Sequence, residues 1–436
     1  MWCRVLFCLI ALVPFLAPLA AEDFGDWKPV LDEKGESLEL TKPIRIGTNV
    51  YAQSAKPDAN ANRAVYCLEQ GVAKPVLDDE GIPFVSEAVF EFGGYAFATR
   101  RSEADSWRLD GATATRIKTP QGQSRMRFGG TNPVQGADNC PYFVVNNGEG
   151  QEKRLYWFSG SEFVEIEVPY LRMPAYVWTG TQFVITSANK TWVIKDAVKT
   201  ELKDAGGNSC MLIQADSRWE AVGDYLMAEA SRVLYRLKDG AFVEIELPDD
   251  NFCQQLHAIG NELYLLTRIG LLTEVRPGYG YWKLIDDELE PTALGKKFED
   301  FTKLWVSKVV GDAVLVRASK STGSSEKDWK LTVNFSLFRD GKATKVDFPK
   351  KFKWAEIDAF FKGSKNQRII VLSLGLGKDM EKSYFTISDT GKLTELPLPG
   401  KRAGWVGSNL TPADDGLYLQ VANKEKGQAT VYLATP

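Results

Sequence analysis

Two stretches of this chain align without a gap, RLYWFSGSEFVEIEVP at residues 154–169 and VLYRLKDGAFVEIELP at residues 233–248, offset by 79 positions. In the first, Val164, Ile166 and Val168 alternate with Glu165 and Glu167; in the second, Val243, Ile245 and Leu247 alternate with Glu244 and Glu246. A period of two marks a strand with one buried and one wet face. An aromatic run precedes each, Tyr156-Trp157-Phe158 or Leu234-Tyr235, across a turn that carries Gly160 or Asp239-Gly240. Each phrase therefore predicts a β-hairpin, ended by Pro169 or Pro248, which cannot donate to a ladder.

Weaker copies recur along the chain: AVYCLEQGVAKPVL from Ala64, SWRLDGATATRIKTP from Ser106, TWVIKDAVKTEL from Thr191, LLTEVRPGYGYWKLI from Leu271, FSLFRDGKATKVDFP from Phe335 and SYFTISDTGKLTELPLP from Ser383. A second hairpin with a glycine turn precedes them, as in FEFGGYAFA at Phe90, VWTGTQFVI at Val177, HAIGNELYLL at His257 and KVVGDAVLV at Lys308. Two hairpins give a four-stranded antiparallel unit recurring every 40 to 50 residues or so, the period of an all-β β-propeller with one unit per blade. The count predicts eight or nine blades, and the 79-residue offset is two of them. The last unit lacks a fourth strand after Thr430–Leu433, and ESLELTKP at residues 36–43 reads like one. Glu36–Thr41 is therefore expected to pair with Thr430–Leu433 and close the ring from both chain ends, sparing two blade edges from solvent. The glycine turn between the first two strands resembles that of the kelch propellers over most of the chain, although their diglycine occurs only at Gly93-Gly94.

The start, MWCRVLFCLIALVPFLAPLAAEDF, has one basic residue, an apolar run from Val5 to Leu16 and small residues at Ala20 and Ala21. That pattern predicts a cleaved signal peptide over residues 1–21 and one propeller domain over 22–436, placing the protein in the secreted or periplasmic space with no transmembrane anchor after cleavage. Of the four remaining cysteines, Cys140, Cys210 and Cys253 follow similar contexts, GADNC, AGGNSC and PDDNFC. Each is expected to open the innermost strand of its unit, with Cys210 and Cys253 the candidate disulfide. A formal charge of −4, with both signs interleaved, gives no general attraction to nucleic acid.

The inventory of reactive groups excludes much. A single histidine, His257, rules out multi-histidine metal sites, and no metal or cofactor motif is present. His257 is expected on an innermost strand, hydrogen-bonded to backbone or facing the central channel. The pairs Asp249-Asp250, Asp286-Asp287 and Asp414-Asp415 sit in turn contexts, where solvated loops are the ordinary role and a carboxylate-dependent enzyme acting on carbohydrate is the alternative. Tyr279, Tyr281 and Trp282 in RPGYGYW are expected on a turn, where exposed aromatics stack on ligands. Arg101, Lys190, Arg232, Arg268 and Arg317 follow the second strands, so a meander places them on one face as a cationic rim. The sequence thus predicts an exported, non-catalytic propeller that binds a protein or glycan partner or serves as a scaffold.

Overall fold

The computed structural model describes residues 26–435 apart from 102–104, 119–139, 147–152, 170–174, 188, 205, 210, 212–218, 229–232, 239–240, 270–277, 293, 295–302, 308, 323–329, 350–351, 353–355, 364–366, 375–380, 397–398, 400–404 and 424–427. Strands dominate the described residues, and none of their helices is long and apolar enough to cross a membrane. The strands form nine antiparallel meanders in chain order: sheets I (residues 40–75), II (88–117), III (142–166), IV (175–201), V (219–246), VI (251–291), VII (303–346), VIII (356–395) and IX (405–434). Sheet III has three strands among the described residues and most others have four. The repeated phrase supplies the last two strands of sheets III and V, two units apart, with Leu155 opposite Ile166 and Leu234 opposite Ile245.

Each strand's inward residues divide between its two neighbours. Every consecutive pair of sheets shares one apolar cluster: Val65 and Trp107 between I and II, Phe97 and Phe158 between II and III, Tyr142 and Phe183 between III and IV. Val184 meets Leu226 between IV and V, Met227 meets Leu265 between V and VI, and Tyr281 meets Phe338 between VI and VII. Leu315 and Ile370, then Val371 and Leu419, continue the series through sheet IX, and Tyr418 of sheet IX packs with Val50 of sheet I. No sheet has a core of its own; both faces of each are buried on its neighbours, the arrangement of a β-propeller.

The chain ends meet differently from the expectation. Lys28–Pro29, not Glu36–Thr41, pairs with the last strand, Lys28 opposite Leu433 and Pro29 opposite Tyr432. The expected latch residues instead run into Leu40–Ile46, the innermost strand of sheet I. A strand of two residues has no period to read, whereas Leu38 and Leu40 pack into the cluster shared by sheets IX and I and supply the alternating apolar pattern that suggested an outer strand. Val30, 1 % exposed, follows the latch and inserts into the cluster shared by sheets IX and I.

Immediately after it, Leu31–Asp32 pairs in parallel with Val72–Ala73, the outermost strand of sheet I. The same hook recurs inside the chain: Leu77 bridges Thr113 of sheet II, and Lys203 bridges Ala241 of sheet V, both parallel. Each hook closes on an Asp-x-x-Gly loop. The Oδ1 atoms of Asp32, Asp78 and Asp204 accept the amides two and four residues on, at 2.7–3.2 Å. Gly35, Gly81 and Gly207 take φ of 78–82°, a region that favours glycine. These loops fix the path from one outer strand to the next sheet.

Candidate functional site

In a meander the turns joining strands one to two and three to four project on one face. Such turns need left-handed backbone, which aspartate tolerates through local hydrogen bonding. Asp196, Asp286, Asp287 and Asp340 all occupy it, with φ between 47° and 68°. Turn chemistry alone therefore gathers carboxylates on this face. Some carboxylates of this face are engaged across sheet boundaries: Asp287 of sheet VI bonds Arg236 of sheet V at 2.7 Å, and Asp414 of sheet IX bonds Arg45 of sheet I at 2.8 Å. Asp415 accepts the Gln70 amide at 2.8 Å and the Tyr418 hydroxyl at 2.6 Å. These aspartates join sheets.

Between sheets VI and VII the same face opens into a cleft of about 470 Å³. Sheet VI contributes Glu262, Tyr264, Lys283 and Glu290; the turns of sheet VII contribute Asp312 and Asp340. Register explains the first group, because Tyr264 and Glu290 lie on either side of Lys283 across the ladder and their side chains share its face. Lys283 forms an ion pair with Glu262, which also accepts the Tyr264 hydroxyl at 2.6 Å. The hydrogen bond from Lys283, joined by that of Tyr264, holds the Glu262 carboxyl below the usual range. Partial burial would raise Asp312, but Arg368 at 2.5 Å and the charge of Arg339, whose Nε lies 2.6 Å away, carry it downward instead. Arg339 also reaches Asp389 at 2.8 Å, and Arg368 bonds that same carboxylate, so two arginines and two aspartates interlock sheets VII and VIII. Glu290 and Asp340 are the exposed acids of the cleft, and Asp340 is 3.1 Å from Arg339.

Beneath the cleft the Tyr264 ring stacks on Tyr281 at 5.6 Å and on His257 at 6.2 Å, with Phe338 of sheet VII edge-on to both tyrosines. His257 sits on the innermost strand of sheet VI, Asn251–Ile259, and is 5 % exposed. It bonds the Tyr281 hydroxyl through Nε2, a side chain and not backbone, while Nδ1 is buried with no hydrogen-bond partner among the described residues. Burial pushes the imidazole down to about 4 and raises the Tyr281 phenol. The ring is accordingly neutral packing material at pH 7.

The other residues singled out in the sequence scatter. Tyr279 and Tyr281 are not on a turn; they lie in Gly278–Ile285, the third strand of sheet VI, 8 % and 1 % exposed in the core shared with sheet VII. The glycines that suggested a turn serve close packing, since a Cβ on Gly280 would collide with the Trp282 indole and the Thr267 hydroxyl. Trp282 is half-buried and donates from Nε1 to Thr267 Oγ1 at 2.8 Å. The actual turn is Asp286-Asp287.

Four members of the cationic series lie among the described residues. Arg101 is exposed after the second strand of sheet II, its amide bonded to Asn62, and Lys190 is paired with Glu201 at 3.2 Å. Arg268 and Arg317 are strand residues, within Glu262–Ile269 and Ala313–Thr322, each half-buried with its Nε sealed from solvent. Arg232 lies outside the described residues. Cys253 lies two residues into the innermost strand of sheet VI, buried, its Sγ donating to Val233 O at 3.6 Å; Cys210, its expected disulfide partner, lies outside the described residues. Cys140 and Cys67 are free thiols, both buried, and burial pushes them up to about 12 and about 11. No group of three His, Cys, Asp or Glu among the described residues is placed to hold a metal ion. Lys283, Glu262 and Asp312 escaped the sequence reading because they converge only through ladder register and contact between sheets, although the Gly311-Asp312 and Asp340-Gly341 pairs did mark the turns.

By its consecutive antiparallel sheets, nine among the described residues, and their shared cores, the chain is a β-propeller. No protein-family model matches it, and no curated protein does. Solved structures to which it is similar include the β-propeller domain of Cps50 (Swd1) from Myceliophteria thermophila, at 10% identity over 91% of this chain and 100% of that one, TM-score 0.31. The β-propeller domain of the trilobed protease from Pyrococcus furiosus matches at 7% identity over 91% of this chain and 93% of that one, TM-score 0.36. The acylaminoacyl peptidase of Pyrococcus horikoshii matches at 11% identity over 88% of this chain and 57% of the peptidase, TM-score 0.40.

Proposed function

We propose that the chain is an exported, non-catalytic β-propeller that binds a protein partner, taking a basic side chain of that partner into the cleft between sheets VI and VII. One observation carries this reading: four carboxylates, Glu262, Glu290, Asp312 and Asp340, line the cleft with one lysine, Lys283, and the two exposed acids, Glu290 and Asp340, face solvent there. An enzyme working on carbohydrate needs one carboxyl whose pKa is raised so that it can donate a proton. Among the described residues, the carboxyls with a displaced pKa, Asp78, Glu201, Asp204, Glu262, Asp312 and Asp389, are all displaced downward. Such groups attract a cation and keep it; they do not protonate a leaving group. Export rests on the leader-like pattern of residues 1–21.

Calorimetric titration with a doubly capped Gly-Arg-Gly tripeptide, against its citrulline twin, tests the reading. Binding should be specific to the arginine peptide and weaken with salt. Glu290→Gln combined with Asp340→Asn, which keeps the left-handed turn, should reduce affinity about tenfold or more. Equal binding of the citrulline peptide, or an unchanged affinity in the double variant, refutes the proposal.

A further inference from the structure

A second opening lies among the innermost strands, where the first and last sheets meet. It measures about 360 Å³ and is bounded by Lys42, Gln53, Asn409 and Thr411 with apolar walls from Val89 and Leu410. That volume suits a small molecule. Both principal strands bulge there: the ladder slips between Thr41 and Ile44 in sheet I and between Gly407 and Asn409 in sheet IX. Lys42, inside the first bulge, has φ of 49°, an unfavourable conformation for a long side chain. It is held there by its backbone, since the Lys42 amide donates to Gln420 Oε1 at 2.9 Å. The Lys42 side chain is exposed and makes no ion pair or hydrogen bond among the described residues.

The polar atoms that remain are fixed by elimination. Gln420 Oε1 receives the Lys42 amide and can only accept, so the Asn409 atom 3.0 Å from it is Nδ2, and Asn409 Oδ1 is left over as an acceptor. Gln53 Nε2 donates to Ser86 O and Oγ at 3.1 Å, which leaves Gln53 Oε1 as a second acceptor. The opening therefore offers one ammonium and two carboxamide oxygens beside a small apolar wall. A carboxylate meets the ammonium, a neighbouring N–H or O–H donor meets the two oxygens, and a short apolar side chain meets Val89 and Leu410.

We propose that this opening binds a small α-amino or α-hydroxy acid with an apolar side chain. Because the Thr411 hydroxyl bonds Pro43 O at 2.7 Å across 368 residues, the ligand would sit on the junction of the chain's two ends. Binding there favours the folded state over the unfolded one and raises the melting temperature with ligand concentration.

The probe is L-leucine, with L-leucinamide lacking the carboxylate and 4-methylpentanoate lacking the donor. Leucine at millimolar concentration should raise the melting temperature of the wild-type chain, and each analogue should bind about tenfold more weakly. Lys42→Met removes only the ammonium, because the structural bond is made by the main chain, so its melting temperature without ligand should equal that of the wild type. Its response to leucine should vanish. Failure of leucine to shift the wild type, a shift preserved in K42M, or a shift from either analogue equal to that of leucine would overturn the proposal.

Discussion

His257 is the chain's single histidine, and its burial makes a quantitative prediction about acid stability. The ring is 5 % exposed, and its folded pKa falls from 6.5 to about 4 because burial disfavours the imidazolium. A depressed pKa means that the neutral ring contributes stability in full above pH 6.5. That contribution is lost as the pH falls toward and through 4. The shift of about 2.5 units corresponds to about 3 kcal/mol, spent at about 1.4 kcal/mol per pH unit within the window. Depressed carboxylates such as Asp312 add their own losses at lower pH, so the test is a difference between two chains. His257→Gln keeps a polar partner for the Tyr281 hydroxyl and removes the titration. Urea melts at pH 7, 6, 5 and 4 should show the wild type losing about 3 kcal/mol relative to H257Q. A stability difference that stays constant across these pH values would refute the burial argument, placing the imidazole in contact with water or an acid.

Two further outcomes follow from packing. Val30→Ala should lower stability by about 2 kcal/mol, since two methyl groups leave the cluster uniting sheets IX and I, whereas Val198→Ala, at a position 67 % exposed, should change it by under about 0.5 kcal/mol; chemical denaturation of both variants checks this. Arg368→Met should cost about 1–2 kcal/mol, discounted because Asp312 and Asp389 are partly solvated, and Asp312→Asn in the same chain should add less than its single effect, measured as a double-mutant cycle.

The fold was legible where one face of a strand is apolar over several residues, as in Val164, Ile166 and Val168, because burial on a neighbouring sheet imposes a period of two. It was misread where the element is too short to have a period, as at Lys28–Pro29, or where glycine serves packing and not a turn, as at Gly280. The candidate sites were less legible for a related reason. Glu262 and Asp312 lie on different sheets, Lys42 and Asn409 at opposite ends of the chain, and no local pattern encodes contact across such separations. Charges do not announce their partners either: Lys190 reads as a free cation, and only the ladder shows Glu201 beside it.

The hook at Leu31–Asp32 makes the position of the chain's ends nearly arbitrary. Residues 28–32 run from the outer strand of sheet IX to the outer edge of sheet I, the same route by which Leu77 passes from sheet I to sheet II and Lys203 from sheet IV to sheet V. Only a covalent link between the last strand of sheet IX, Gln428–Ala434, and Lys28 is missing; the hydrogen bonds and the Asp-x-x-Gly loop of an internal connection are present. A gene that joined those two points and began elsewhere, within another connection between sheets, would encode the same set of contacts in rotated order. For a propeller grown by duplicating units, that equivalence means insertion or loss of a sheet need not respect the ancestral terminus: any hooked connection offers a boundary of equal quality.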